Sequence, residues 1–232
     1  MANHCLAHAP KGFFLHLKTT KLSMAKLLYI EASPRKSRSK SIEVAHTFLS
    51  TFQSTHSSVE IDKLDLWATE LPRFDGDTID AKYAILHGQA HTPEQAKAWK
   101  RVEDVIERFK SPDWYLFSLP MWNFGVPYVL KHYIDVIIQP GLTFSFTPAE
   151  GYKGLVTGKK AVAVYARGGA YGPGTGAEDY DLQSKTLAGI MGFIGIIDFA
   201  HIFVEPTLST PADLEATVAK AKELAVSTAK AW

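Results

Sequence analysis

The sequence predicts an α/β chain: a doubly wound sheet of five parallel strands with helices on both faces. Three observations predict it. Short apolar runs alternate five times with stretches of helical spacing, the pattern of repeated βα units. Two of those runs, WYLFSL (Trp114 to Leu119) and AVAVYA (Ala161 to Ala166), lack the polar alternation of a half-exposed strand, as strands covered on both faces do. Several helical stretches also open on Ser, Thr or Pro start signals.

Lys26 to Ala32 reads as the first buried strand, in a pattern opened by Met24. Behind the candidate cap Ser39, the residues Ile42, Ala45, Leu49 and Phe52 recur at helical spacing and complete one βα unit. Val59 to Leu66 (VEIDKLDL) is a second, more exposed strand. Leu66 to Ala84 (LWATELPRFDGDTIDAKYA) is expected to be a long polar loop with little local order, and loops of that length are usually functional or interfacial. Thr92-Pro93 then begins a helix with Gln95 in capping-box position, and Ala98, Val102, Ile106 and Phe109 line its core face. WYLFSL is the third strand, and Pro127 heads a helix ended by Pro140-Gly141. AVAVYA, the fourth strand, runs into the glycine-rich RGGAYGPGTG. A helix over Leu182 to Phe193, a strand over Phe199 to Val204 and a helix begun by Thr210-Pro211 complete the series. The short form of such a sheet has the flavodoxin-like strand order.

Composition bounds what the chain can do. With 232 residues and 46% apolar composition it can bury a core as one domain, placed at residues 24 to 232. A net charge of +1 gives no sign of nucleic acid or an anionic membrane as partner, so a small molecule is expected. The single cysteine, Cys5, excludes an internal disulfide, a cysteine zinc cluster and a CxxC pair, so redox chemistry needs a cofactor. Residues 1 to 23 have too short an apolar run for a signal peptide and read as an N-terminal extension, expected to be disordered and without function. A cytoplasmic location follows as the expectation.

In doubly wound sheets, ligands bind beyond the carboxyl ends of the strands, where the loops after strands one, three and four should meet. The first, SPRKSRSK (Ser33 to Lys40), brings three hydroxyls, four cations and a helix N-terminus, a cradle for a phosphate monoester or simply a solvated basic turn with a serine cap. The second, PMWNFGVP (Pro120 to Pro127), spends two large rings on a loop, either as walls for a flat ring or as plugs over the sheet end. The third is ARGG (Ala166 to Gly169), whose backbone amides suit the polar edge of such a ring. Three such loops on one rim favour a ligand with both phosphate and a planar ring, and flavin mononucleotide (FMN) is that ligand.

LLYIEASPRKSRS, PMWNFGVPYVLKHYIDVIIQPGLTF, GLVTGKKAVAVYARGG and GFIGI resemble the FMN-dependent NADH azoreductases, which also act as NADH:quinone oxidoreductases. The resemblance runs from about Met24 to the C-terminus. It implies a flavodoxin-like homodimer that binds FMN, takes electrons from NADH and passes them to quinones or azo compounds by a ping-pong scheme, with no metal and no catalytic side chain beyond the flavin. It places the phosphate on Ser33, Ser37, Arg38 and Ser39. The ring falls on Met121, Trp122, Asn123 and Phe124 and on Ala166, Arg167, Gly168 and Gly169, with a substrate pocket near Phe146 and Phe193. Trp122 stands where a tyrosine is more familiar in the family, and Ala166 where a serine is.

Other signals weigh less. GLVTGKK (Gly154 to Lys160) has three residues between its glycines where a P-loop has four. His87 and His91 have metal-pair spacing without a third ligand nearby and read as surface histidines. An electron carrier of the flavodoxin type is the alternative function.

Overall fold

The computed structural model describes residues 24–232, so the expected extension over residues 1 to 23 lies outside the described residues. Strands β1 (Lys26–Glu31), β2 (Glu60–Asp65), β3 (Trp114–Pro120), β6 (Lys160–Ala166) and β7 (Asp198–Val204) form one sheet in the order β2-β1-β3-β6-β7. All its pairings are parallel, with Glu31 beside Ser118 and Pro120 beside Ala166. This is the doubly wound order expected, and its reversal falls between β1 and β3.

Each strand of the centre is buried on both faces, and the period of two divides its side chains between two cores. Leu27, Tyr29, Leu116, Val162 and Val164 pack against α1 (Lys40–Thr55) and α6 (Pro211–Lys230). Leu28, Ile30, Tyr115 and Phe117 face the other way, toward α3 (Pro93–Lys110), α4 (Tyr128–Ile137) and α5 (Leu182–Phe193). Start signals operate as read. Ser39 Oγ accepts from the Ile42 amide, Thr92 and Gln95 form a capping box, and Thr210 Oγ1 accepts from the Asp213 amide.

Two elements depart from the sequence reading. The segment expected to be a structureless loop contains α2 (Gly76–Leu86). Asp75 caps it by accepting from the Thr78 amide, and Thr78 and Ala81 are buried while Ile85 packs on the core. Its apolar face is narrow and largely alanine-sized, so periodicity alone did not expose it. The second departure is the antiparallel pair β4 (Phe144–Thr147) and β5 (Gly151–Gly154), inserted ahead of β6. The P-loop-like GLVTGKK starts at the end of β5, where its first glycine serves packing: a Cβ on Gly154 would stand 2.3 Å from the Ile194 carbonyl carbon. No helix among the described residues is long and apolar enough to cross a membrane.

Candidate functional site

The loops after β1, β3 and β6 open on one rim because the three strands are adjacent and parallel. The first loop begins with Ala32, whose amide donates to the Ser118 carbonyl at 2.9 Å. Ser33 follows, only 1% exposed, and its Oγ has no hydrogen-bond partner. A short 3₁₀ turn, Lys36–Arg38, then leads into α1. Ser39 is buried and its Oγ lies 3.1 Å from Ser41 Oγ, whereas Ser37 and Arg38 are exposed. Among the described residues, the amides of Lys40 and Ser41 at the head of α1 have no partner within the chain. A buried hydroxyl and free helix N-terminal amides leave donors unspent in the one loop, which fits an anion.

The four cations of this loop are not equivalent. Lys36 sits in the left-handed region at φ 49° and its Nζ donates to Glu31 Oε1 at 2.8 Å and to both Asp65 carboxylate oxygens at 2.6 Å. Lys40 pairs with Glu43. Arg35 and Arg38 keep their guanidinium groups on the exposed side. Burial works against the charge on Glu31, but hydrogen bonds from Lys36 and Lys63 outweigh it and hold the carboxyl below the usual glutamate range.

The second loop turns sharply. Trp122 and Gly125 exchange two backbone hydrogen bonds, of 3.1 and 2.9 Å, around Asn123 and Phe124, both at positive φ (48° and 65°). That is the geometry of a type I′ turn, which favours Asn-Gly; here a phenylalanine takes the second left-handed position at a cost of order 1 kcal/mol. Trp122 and Phe124 remain 37% and 42% exposed, as residues spent on core packing would not. Trp122 packs edge-on to Trp67 at 5.8 Å and lies 6.0 Å from Tyr128. Phe124 lies 5.0 Å from Tyr180 and 6.2 Å from Tyr171. Met121, half-buried, ties this loop to the third through its amide, which donates to the Ala166 carbonyl at 2.9 Å.

In the third loop Arg167 turns inward. Its guanidinium, fully buried, donates to Asp181 at 2.9 and 3.2 Å, to Glu205 at 3.3 Å and to Gln183 at 3.0 Å, and stacks 4.3 Å from the Phe203 ring centre. Its amide donates to Val204. Arg167 thus locks the base of the loop against the 205–208 segment, where Thr207 and Leu208 donate back to the carbonyls of Arg167 and Gly168. The amides of Gly168 and Gly169 have no partner within the described chain and are the donors this loop presents.

Phe146 and Phe193 do not join the rim. They flank Tyr152, at 4.8 and 5.6 Å, in a cluster with Phe144. α5 leaves the rim and carries Phe193 on its last residue, roughly 18 Å along the axis from its start. Conversely, Trp67, Tyr128, Tyr171 and Tyr180 belong to the rim and were absent from the sequence reading. The proximity of Trp67 to the end of β2 and of Tyr128 to Pro127 was the available signal.

Comparison with known proteins agrees with this geometry. Residues 25–227 match the family described as flavodoxin-like fold. A protein of Desulfotalea psychrophila named FMN-dependent NADH:quinone oxidoreductase is 49% identical over 207 residues, which cover 89% of this chain and 97% of that protein. An azoreductase structure from Bacillus anthracis str. Sterne superposes with a TM-score of 0.82 at 31% identity, covering 90% of this chain and all of that one. A crystal structure of an FMN-dependent NADH-azoreductase from Bacillus anthracis str. Ames Ancestor, in complex with FMN, superposes with a TM-score of 0.80 at 28% identity, over 89% of this chain. With a doubly wound sheet, a three-loop rim and these relatives, the chain belongs to the flavodoxin-like family, alongside the FMN-dependent NADH:quinone oxidoreductases and azoreductases.

Proposed function

We propose that the chain is an FMN-dependent reductase that takes electrons from NADH and reduces quinones and azo compounds, with residues 24–232 as one FMN-binding domain. The Ser33 hydroxyl, buried without a hydrogen-bond partner in the loop after β1, carries this reading, because it sits on the rim shared with the ring-lined loop. Bound FMN supplies the redox chemistry, accepting a hydride from NADH and yielding two electrons to the acceptor.

The chain's own residues bind and orient. Ser33, Ser39 and the α1 amides take the phosphate, with Ser37 and Arg38 closing over it from the exposed side. Met121, Trp122, Asn123 and Phe124 line the ring, with Ala166 at its edge. The amides of Gly168 and Gly169 donate to the ring's carbonyl edge and stabilise negative charge there. Arg167 holds those two amides in place from beneath. NADH and the acceptor then use one aromatic mouth in turn, which is a ping-pong scheme. Phe146 and Phe193 can reach such a mouth only from a second copy, which supports the homodimer expected for the family. Use of NADH fits a cytoplasmic enzyme.

Steady-state turnover of FMN-loaded protein tests the reading, with NADH and NADPH against a quinone and an azo dye. Yellow protein that oxidises NADH with both acceptors and gives parallel double-reciprocal plots supports it. Protein that binds FMN but does not turn over NADH is an electron carrier instead, and colourless protein that retains no added FMN removes the proposal altogether.

A further inference from the structure

We infer that Lys36 is a positioning residue of the phosphate loop and not a ligand of the phosphate. The inference rests on the flavin reading above. By sequence Lys36 is one of four interchangeable cations; in the structure Glu31 and Asp65, at the ends of β1 and β2, hold its ammonium. Glu31 is 2% exposed at the last position of β1 and accepts from Lys36 on one oxygen, while Lys63 lies 2.8 Å from the other. Asp65, the last residue of β2, also accepts from the Trp67 amide at 3.0 Å. Two cations meet two carboxylates, so the cluster is neutral and projects little field toward the rim.

What the cluster supplies is shape. Lys36 occupies a left-handed backbone conformation that a lysine adopts only under constraint, and the Lys36 carbonyl accepts from the Ser39 amide at 2.9 Å. That bond sets Ser39, whose side chain caps α1 and whose position fixes the free amides beside it. Trp67 extends the brace, because its indole N–H donates to the Ala32 carbonyl at 3.0 Å, immediately before Ser33. The end of β2 therefore grips the phosphate loop at its start and at its middle. The consequence is selectivity: the clamp presets donors that only a phosphorylated flavin can use, and riboflavin gains nothing from it.

Two substitutions test this by flavin-fluorescence titration of apo-protein with FMN and with riboflavin, each at low and high salt. Lys36→Met should raise the Kd for FMN about tenfold and leave that for riboflavin unchanged, and the loss of FMN affinity should persist at high salt, where through-space repulsion is screened. Asp65→Asn gives a test of sign. It removes a negative charge near the phosphate, so a through-space electrostatic role predicts tighter FMN binding, whereas loss of the clamp predicts weaker binding. Asparagine keeps an acceptor for the Trp67 amide, so this variant remains informative if Lys36→Met folds poorly. Unchanged or tighter FMN binding by Asp65→Asn, a loss in Lys36→Met that vanishes at high salt, or equal losses for FMN and riboflavin would each overturn the inference while leaving the flavin reading intact. Wild-type protein that binds no FMN overturns both.

Discussion

Ser33 illustrates how a residue can cost stability and still be selected. A buried hydroxyl without a partner forfeits about 1–3 kcal/mol of desolvation energy, and Ser33 Oγ is such a group in the ligand-free chain. Ser33→Ala should therefore raise the melting temperature of the apo-protein, or leave it unchanged, while lowering FMN affinity. A fall in both would mean the hydroxyl has a structural partner. Glu31 shows the reverse relation. Hydrogen bonds from Lys36 and Lys63 hold its folded-state pKa below the usual glutamate value, so its contribution is present above the unfolded-state value near 4.3 and is lost as pH falls through the folded one. Melting temperature should drop on acidification below about pH 4.5, and Glu31→Gln should flatten that drop; an identical acid profile in the variant would place the sensitivity elsewhere, with Asp65 or Asp181 as the next carboxylates held low.

Among elements, the five strands of the main sheet were legible, the exposed β2 included, and α2 and the β4–β5 pair were not. β1, β3 and β6 declare themselves because an apolar run bounded by turn residues has few other uses, and the caps Ser39, Thr92 and Thr210 announce their helices. α2 escaped because Asp75 and a narrow Thr78–Ala81–Ile85 stripe carry less signal than the charged residues around them. The β4–β5 pair escaped because four-residue strands barely establish an alternation. The three rim loops meet as the strand order requires, yet side-chain direction was beyond the sequence: Arg167 and Lys36 look like ligands on paper and are each spent on two carboxylates. The Trp122–Gly125 turn tests this boundary. Trp122→Ala should lower quinone turnover and alter acceptor preference while costing the apo-protein less than the 3–5 kcal/mol of a core tryptophan. A large loss of apo stability with activity per bound flavin intact would show that the ring is packing after all.

At the scale of the molecule, the sheet separates two aromatic groups that the family resemblance assigns to one pocket. Trp122 and Phe124 stand at the carboxyl ends of the strands, and Phe146 and Phe193 lie beyond the far end of α5. In the proposed homodimer a two-fold axis would set the cluster of each copy over the mouth of the other. Phe146→Ala should then raise the KM for quinone without changing FMN affinity. Mixing Phe146→Ala and Trp122→Ala chains, each impaired alone, should recover part of the activity, since mixed dimers contain one site with both rings. No recovery on mixing, with dimer exchange verified by sedimentation, would return Phe146 to a purely local role.

Two of the five tryptophans, Trp67 and Trp122, stand 5.8 Å apart on the rim, while Trp99 lies in the core and Trp114 packs behind the sheet against Phe52. The molecule consequently carries its own optical gauge. Indole emission overlaps flavin absorption, so a flavin seated on the rim should quench the two nearest indoles most strongly, and the red-shifted, solvent-touched part of the emission more than the rest. Occupancy of the site can be followed through the protein's native fluorescence, without a label and without a substrate.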